Sequence, residues 1–231
     1  MTTEYTDEQR LERSIRDMGS ELGPVFHELS NDLIWLHAKW IQYRQLFGHS
    51  EERVNILNEV GGHFFKIVQD ALWDDAVLSI SRLTDQPQSM GKDNLTFLLL
   101  PGMIKDTSLK YDIEELITKS IAASSFAKDW RNRRLAHNDL LLALKSGSKP
   151  LKGISRDNVN NALLSFNNIL NRLSLHYWQS ATFYDDFIAS GGEGENVIYY
   201  LHAGIRAEEA KMQRLRQRKP LPGDFGNDTE T

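Results

Sequence analysis

The stretch VFHELSNDLIWLHAKWIQYRQLF, residues 25–47, decides the fold class. Phe26, Leu29, Leu33, Leu36, Trp40, Tyr43 and Phe47 recur every three or four positions, which places them on one face of a helix. Gly23-Pro24 stands before it, and proline is tolerated in a first helical turn. Gly48-His49-Ser50 closes it, with Ser50 placed to cap whatever follows. The same period continues from Val54 through Leu57, Val60, Phe64, Ile67, Leu72, Val77 and Ile80, giving a second helix over 51–83. Gly61-Gly62 interrupts it at about 1 kcal/mol per glycine relative to alanine, so the helix bends there or packs very closely.

Further along, 84–93 carries Asp85, Pro87, Ser89 and Gly91 and reads as a loop. Asn94 is placed to cap a short apolar helix over 95–100, ended by Pro101-Gly102. A third long helix starts near Ser108 and runs past Phe126 to Leu144, where Ser146-Gly147-Ser148-Lys149-Pro150 stops it. A fourth starts at Ser155 and carries Val159, Leu163, Phe166, Ile169, Leu170, Leu173, Tyr177 and Phe183. A fifth, 196–218, begins apolar and ends basic. No segment alternates with period two, so no strand is expected. The fold expected is all-α: an antiparallel four-helix bundle with extra N- and C-terminal helices. Residues 1–21 form a polar arm or short, weakly packed helix, 22–190 the bundle, 191–219 a C-terminal helix with a basic end, and 220–231 a tail expected to be disordered.

Composition removes several function classes. The 231 residues contain no cysteine, so disulfides, thiolate nucleophiles, iron–sulfur clusters and cysteine zinc sites are excluded. No apolar run approaches the roughly 20 residues a membrane-spanning helix needs. The polar, acidic start lacks the basic and apolar regions of a signal peptide, so a cytoplasmic location is expected. Net charge is −5, so any site for a polyanion is a local patch.

One segment concentrates functional groups: Trp130-Arg131-Asn132-Arg133-Arg134-Leu135-Ala136-His137-Asn138-Asp139. On a straight helix, Arg133 and Arg134 are the i−4 and i−3 neighbours of His137, while Arg131 lies about 120° round the axis from it. Arg131 and His137 meet only if the helix is irregular or a second chain supplies one of them. The chemistry such groups support is metal-free RNA cleavage. A neutral imidazole takes the proton of a ribose 2′-hydroxyl, and the 2′-oxygen attacks the adjacent phosphorus. A guanidinium fork stabilises the charge gathering on the phosphoryl oxygens. The bland alternative is a solvated basic face beside a packed histidine.

Other groups carry less. Asp74-Asp75 lacks a histidine at ligand spacing, and His27, His37 and His63 are too scattered, so no metal or other cofactor is expected. The five tryptophans read as core or interface residues. The basic run from Arg206 to Lys219 is interleaved with Glu208 and Glu209 and reads as a solvated helix face.

Arg131-Asn132, a spacer and Ala136-His137-Asn138-Asp139 together resemble the motif of the HEPN superfamily, an arginine and a polar residue separated by four to six positions from a histidine. Trp130 and the upstream LWDDAVLSISRLTD, residues 72–85, are similar to the AbiU-type abortive-infection subfamily. The resemblance spans roughly residues 22–187. It implies a helical bundle that homodimerises with its two motifs facing each other, and in many members metal-independent endoribonuclease activity in toxin–antitoxin or phage-defence settings. It assigns Arg131 to phosphate binding, Asn132 as its polar partner and His137 as general base. Arg133 and Arg134 join them as RNA-binding candidates on helical spacing alone. RNA as substrate and a cognate antitoxin or partner protein follow from this reading. The alternative is a non-catalytic module that dimerises and binds a partner protein or a nucleotide.

Overall fold

The structure is a computed structural model and describes residues 6–89, 91–135, 153–184 and 193–224. It is an all-α bundle with additional terminal helices. Its α-helices are α1 (Asp7–Met18), α2 (Leu22–Tyr43), α3 (Glu51–Leu83), α4 (Leu100–Met103), α5 (Thr107–Trp130), α6 (Arg156–Trp178) and α7 (Glu193–Arg216). The chain divides into two compact units, 1–40 with 71–188 and 41–70 with 189–231.

In the first unit most of the apolar positions read from the sequence are buried, although Phe183, read as part of the fourth helix's core face, stands exposed. Leu29, Leu33 and Leu36 of α2, Val77 and Ile80 of α3, Leu109 and Ile113 of α5, and Phe166, Ile169 and Leu170 of α6 are all essentially inaccessible. Among the described elements, α5 pairs extensively with α6. Caps fix where these helices begin. Asp106 Oδ1 accepts from Leu109 N at 2.7 Å, and Ser155 with Asn158 forms a reciprocal capping box. Helix α6 stops at Gln179, which adopts the left-handed conformation at φ 51°.

Helix α1 departs from expectation. Its sparse apolar content suggested weak packing, yet its backbone lies directly against Gly23 of α2. A Cβ on Gly23 would sit 2.5 Å from the Ser14 carbonyl oxygen and 2.7 Å from Ile15 Cα. The Arg13 guanidinium stacks 4.4 Å from the Trp178 ring, whose indole N–H donates to Asp17 at 2.9 Å. Contacts made through a missing side chain, a cation and an indole leave no apolar period to read.

The loop after α3 also differs. Gln88–Ser89 pairs antiparallel with Lys92–Asp93, a ladder too short for any alternation to announce. Asn94 does not cap the next helix; its amide donates to the Gln86 carbonyl at 2.9 Å. The cap is Thr96, whose hydroxyl accepts from Leu98 N at the start of a 3₁₀ turn, Phe97–Leu99, that leads into α4.

The second unit has its own small core of Leu46, Leu57 and Ile198, flanked by Phe47, Phe65 and Leu201. A π turn, Arg44–Gly48, follows α2, and Ser50 accepts from Arg53 N at 3.3 Å as the sequence suggests. Arg53 grips Glu195 with both terminal nitrogens at 2.7 and 2.8 Å and donates to the Gln45 carbonyl at 2.7 Å. At Gly61 α3 leaves helical geometry (φ −171°, ψ 61°), while a Cβ there would meet only ordinary contacts from 3.8 Å. The paired glycines therefore mark a bend rather than a close approach. After α7, residues 221–224 form a turn tied back by Arg214, which donates to Asp224 at 2.5 and 2.8 Å. This guanidinium, with the Leu221 amide, holds the Asp224 carboxyl down at about 2.

Candidate functional site

Helix α5 buries Leu109, Ile113, Ile117, Ser120, Ser124 and Ala127, a face that recurs every three or four residues. Extending that face by one step reaches Arg131. The α-helix ends at Trp130, and Arg131–Leu135 continues as a π turn. Such turns are rare and concentrate at functional positions. A turn closed from i to i+5 rotates less per residue than an α-helix. The straight-helix angle drawn from Arg131 to residues beyond the turn therefore does not apply.

Arg131 emerges at the edge of the core with 23% of its side chain exposed. Its Nη1 forms an ion pair with Asp85 Oδ2, and its Nε donates to Asn132 Oδ1 at 3.1 Å. The Nη2 edge has no partner among the described residues. The other Asp85 oxygen lies 3.8 Å from Lys128 Nζ, one turn back on α5. Asp85 itself sits two residues beyond the end of α3. Its carbonyl lies 2.9 Å from the hydroxyl of the fully buried Thr96, which is equally close to the Leu83 carbonyl. Thr84, its buried neighbour, shares its hydroxyl with the Ile80 and Ser81 carbonyls and meets Ser124 of α5 at 3.4 Å.

The sequence-derived candidates thus separate. Arg131 and Asn132 are brought together. Arg133 turns back to Asp129 of its own helix at 3.6 Å, and the Arg134 guanidinium stacks 5.0 Å from the Trp130 ring. His137 lies outside the described residues, as do Ala136, Asn138, Asp139 and the 146–150 stop. Nothing in the sequence pattern marks Asp85 as a neighbour of Arg131 or Lys128. Asp85 is 46 positions from Arg131, and no helical spacing links residues that far apart.

Elsewhere in the first unit, a cleft of about 210 Å³ opens between Arg10, Phe26, His27, Trp178 and Tyr184, and none of the motif residues lines it. Burial raises the Tyr184 phenol there. Asp75 pairs with Lys39 at 2.9 Å. Among the described residues no cluster of three or more histidine and carboxylate side chains is gathered as a metal ligand set. No described helix is long and apolar enough to cross a membrane.

Compared with known families, residues 19–194 match the HEPN family model described as AbiU2. No curated protein and no solved structure gives a significant match.

Proposed function

Because the chain belongs to the AbiU2 family of the HEPN superfamily, an abortive-infection type of HEPN module, we propose that it is a metal-independent endoribonuclease. In this reading it acts in the cytoplasm as a toxin or phage-defence effector, with its chemistry housed in the 22–190 bundle. His137 removes the proton from a ribose 2′-hydroxyl, the 2′-oxygen bonds to the adjacent phosphorus as the bond from phosphorus to the 5′-oxygen breaks, leaving a 2′,3′-cyclic phosphate, and the departing 5′-oxygen takes a proton from water. Arg131 meets the charge that builds on the phosphoryl oxygens, with Asn132 orienting it. Arg133 and Arg134 add positive charge along the RNA backbone. Two copies of the chain set their motifs face to face and share the substrate. A cognate antitoxin or partner protein restrains the activity.

The observation that supports this reading best is the state of Arg131. It is the motif arginine, it is held on two edges by Asp85 and Asn132, and its third edge carries two N–H donors with no partner among the described residues. Its two remaining Nη2 N–H groups can donate to phosphate oxygens, and Arg131 stands where the buried face of α5 ends.

Incubation of the pure protein with labelled RNA in EDTA tests the reading. Wild type should cut, and Arg131→Ala and His137→Ala should each lose about a hundredfold or more in rate. RNA left intact by wild type, or cut equally by His137→Ala, sinks the catalytic assignment. A monomer at working concentration would count against the shared site. The acidic net charge of −5 favours a second reading, a non-catalytic dimerisation module that binds a partner protein or nucleotide. That reading expects a dimer that leaves RNA intact.

A further inference from the structure

Asp85 is anchored more firmly than a surface ion pair requires. Exposed pairs contribute little and need no special framing. Here the backbone on both sides is fixed by buried hydroxyls: Thr96 at the Leu83 and Asp85 carbonyls, and Thr84 reaching Ser124 on the helix that leads to Arg131. The Asp85 amide adds a hydrogen bond to the Arg82 carbonyl at 3.2 Å. The carboxylate, mostly shielded, takes Arg131 Nη1 on one oxygen and faces Lys128 with the other. A free arginine explores many rotamers. Asp85 and Asn132 together remove most of that freedom and leave Nη2 without a partner among the described residues.

We propose that Asp85 is a positioning residue for Arg131, its carboxylate fixing the guanidinium so that the Nη2 edge meets the scissile phosphate. This rests on the ribonuclease reading above. It carries a signature that neither a structural strut nor a plain negative charge shares. As an anion beside a polyanion site, Asp85 opposes RNA binding. As the group that aims Arg131, it favours the chemical step, because a preorganised donor acts at full strength only when already in place. Removing its charge therefore moves binding and rate in opposite directions.

The test is steady-state cleavage of labelled RNA by the full chain, with thermal unfolding measured alongside, for Asp85→Asn, Asp85→Glu and each combined with Arg131→Ala. Asp85→Asn should lower kcat by about ten- to a hundredfold, with a lower KM and Tm near wild type. Asp85→Glu should regain part of the rate. In the Arg131→Ala background, Asp85→Asn should change the rate no further, since the residue it positions is gone. If Asp85→Asn cuts as fast as wild type or faster, the positioning role is wrong. The role is equally wrong if its rate loss follows a fall in Tm and adds fully to that of Arg131→Ala. Wild type that leaves RNA intact removes the ribonuclease reading and this one together. Wild type that cuts beside an equally active Asp85→Asn removes only this one.

Discussion

Replacing Gly23 with alanine tests the docking of α1 with two effects of opposite sign. Within a helix, glycine is about 1 kcal/mol less favourable than alanine, so propensity alone makes Gly23→Ala stabilising. The structure says otherwise. The added Cβ would lie 2.5 Å from Ser14 O, 2.6 Å from Ser14 C and 2.7 Å from Ile15 Cα. All three are backbone atoms, so no side-chain rotation relieves the clash, and α1 must shift as a body. Overpacking of this kind costs about 1–3 kcal/mol. The cost is bounded by what α1 loses on lifting away, chiefly the Arg13–Trp178 stacking and the Asp17–Trp178 hydrogen bond. Taking both effects together, the variant should be up to about 2 kcal/mol less stable, a fall in Tm of up to roughly 8 °C for a chain of this size. Far-UV circular dichroism during thermal unfolding gives the stability, and the Trp178 indole N–H resonance reports whether α1 has moved. Gly204→Ala is the control, since Gly204 lies in α7 with nothing within 4 Å of an added Cβ. It should gain up to about 1 kcal/mol. A Gly23→Ala protein as stable as wild type or more so, with its Trp178 indole unshifted, would refute the close approach.

Other expected outcomes follow from single contacts. Phe166 is fully buried with its ring 5.1 Å from that of Phe97, so Phe166→Ala should cost about 3–5 kcal/mol in urea unfolding. Arg53→Met removes the grip on Glu195 and the bond to the Gln45 carbonyl, and should cost about 1–2 kcal/mol, since half-exposed Glu195 is partly screened by solvent. The Asp224 carboxyl is depressed from its ordinary 3.8 to about 2, so its tie to Arg214 is fully present above pH 4 and is lost as pH falls through about 2. A carbon-13 titration of Asp224 should show that low midpoint in wild type and an ordinary one in Arg214→Ala; an ordinary midpoint in both would dismiss the tie.

Much of the fold was legible because burial of a helix face writes a period into the chain. The run from Phe26 to Trp40, the Val77–Ile80 end of α3 and the Val159–Leu173 face of α6 follow this rule, whereas Val60, Phe64 and Ile67 keep the helical period yet stand exposed; Ser50 and Ser155 announce helix starts through local hydrogen bonds. What escaped notice was held by groups that carry no period. Gly23 docks α1 by lacking a side chain, Arg13 and Trp178 meet across 165 positions, and the Gln88–Asp93 ladder is two residues deep. The same division runs through the site. Arg131 and Asn132 stand together because they are neighbours in sequence. The ion pair to Asp85 joins the end of one helix to the end of another, and only the packed bundle brings those ends together.

The π turn at Arg131–Leu135 bears on how such a site tolerates change over time. A turn closed from i to i+5 accommodates one residue more than an α turn. A chain that gains or loses a residue there can trade one kind of turn for the other, leaving the buried face of α5 from Leu109 to Ala127 in register. The arginine stays anchored to the bundle, while the turn beyond it absorbs the insertion or deletion. A site built on such a hinge of length can be retuned by single-codon events without refolding the scaffold.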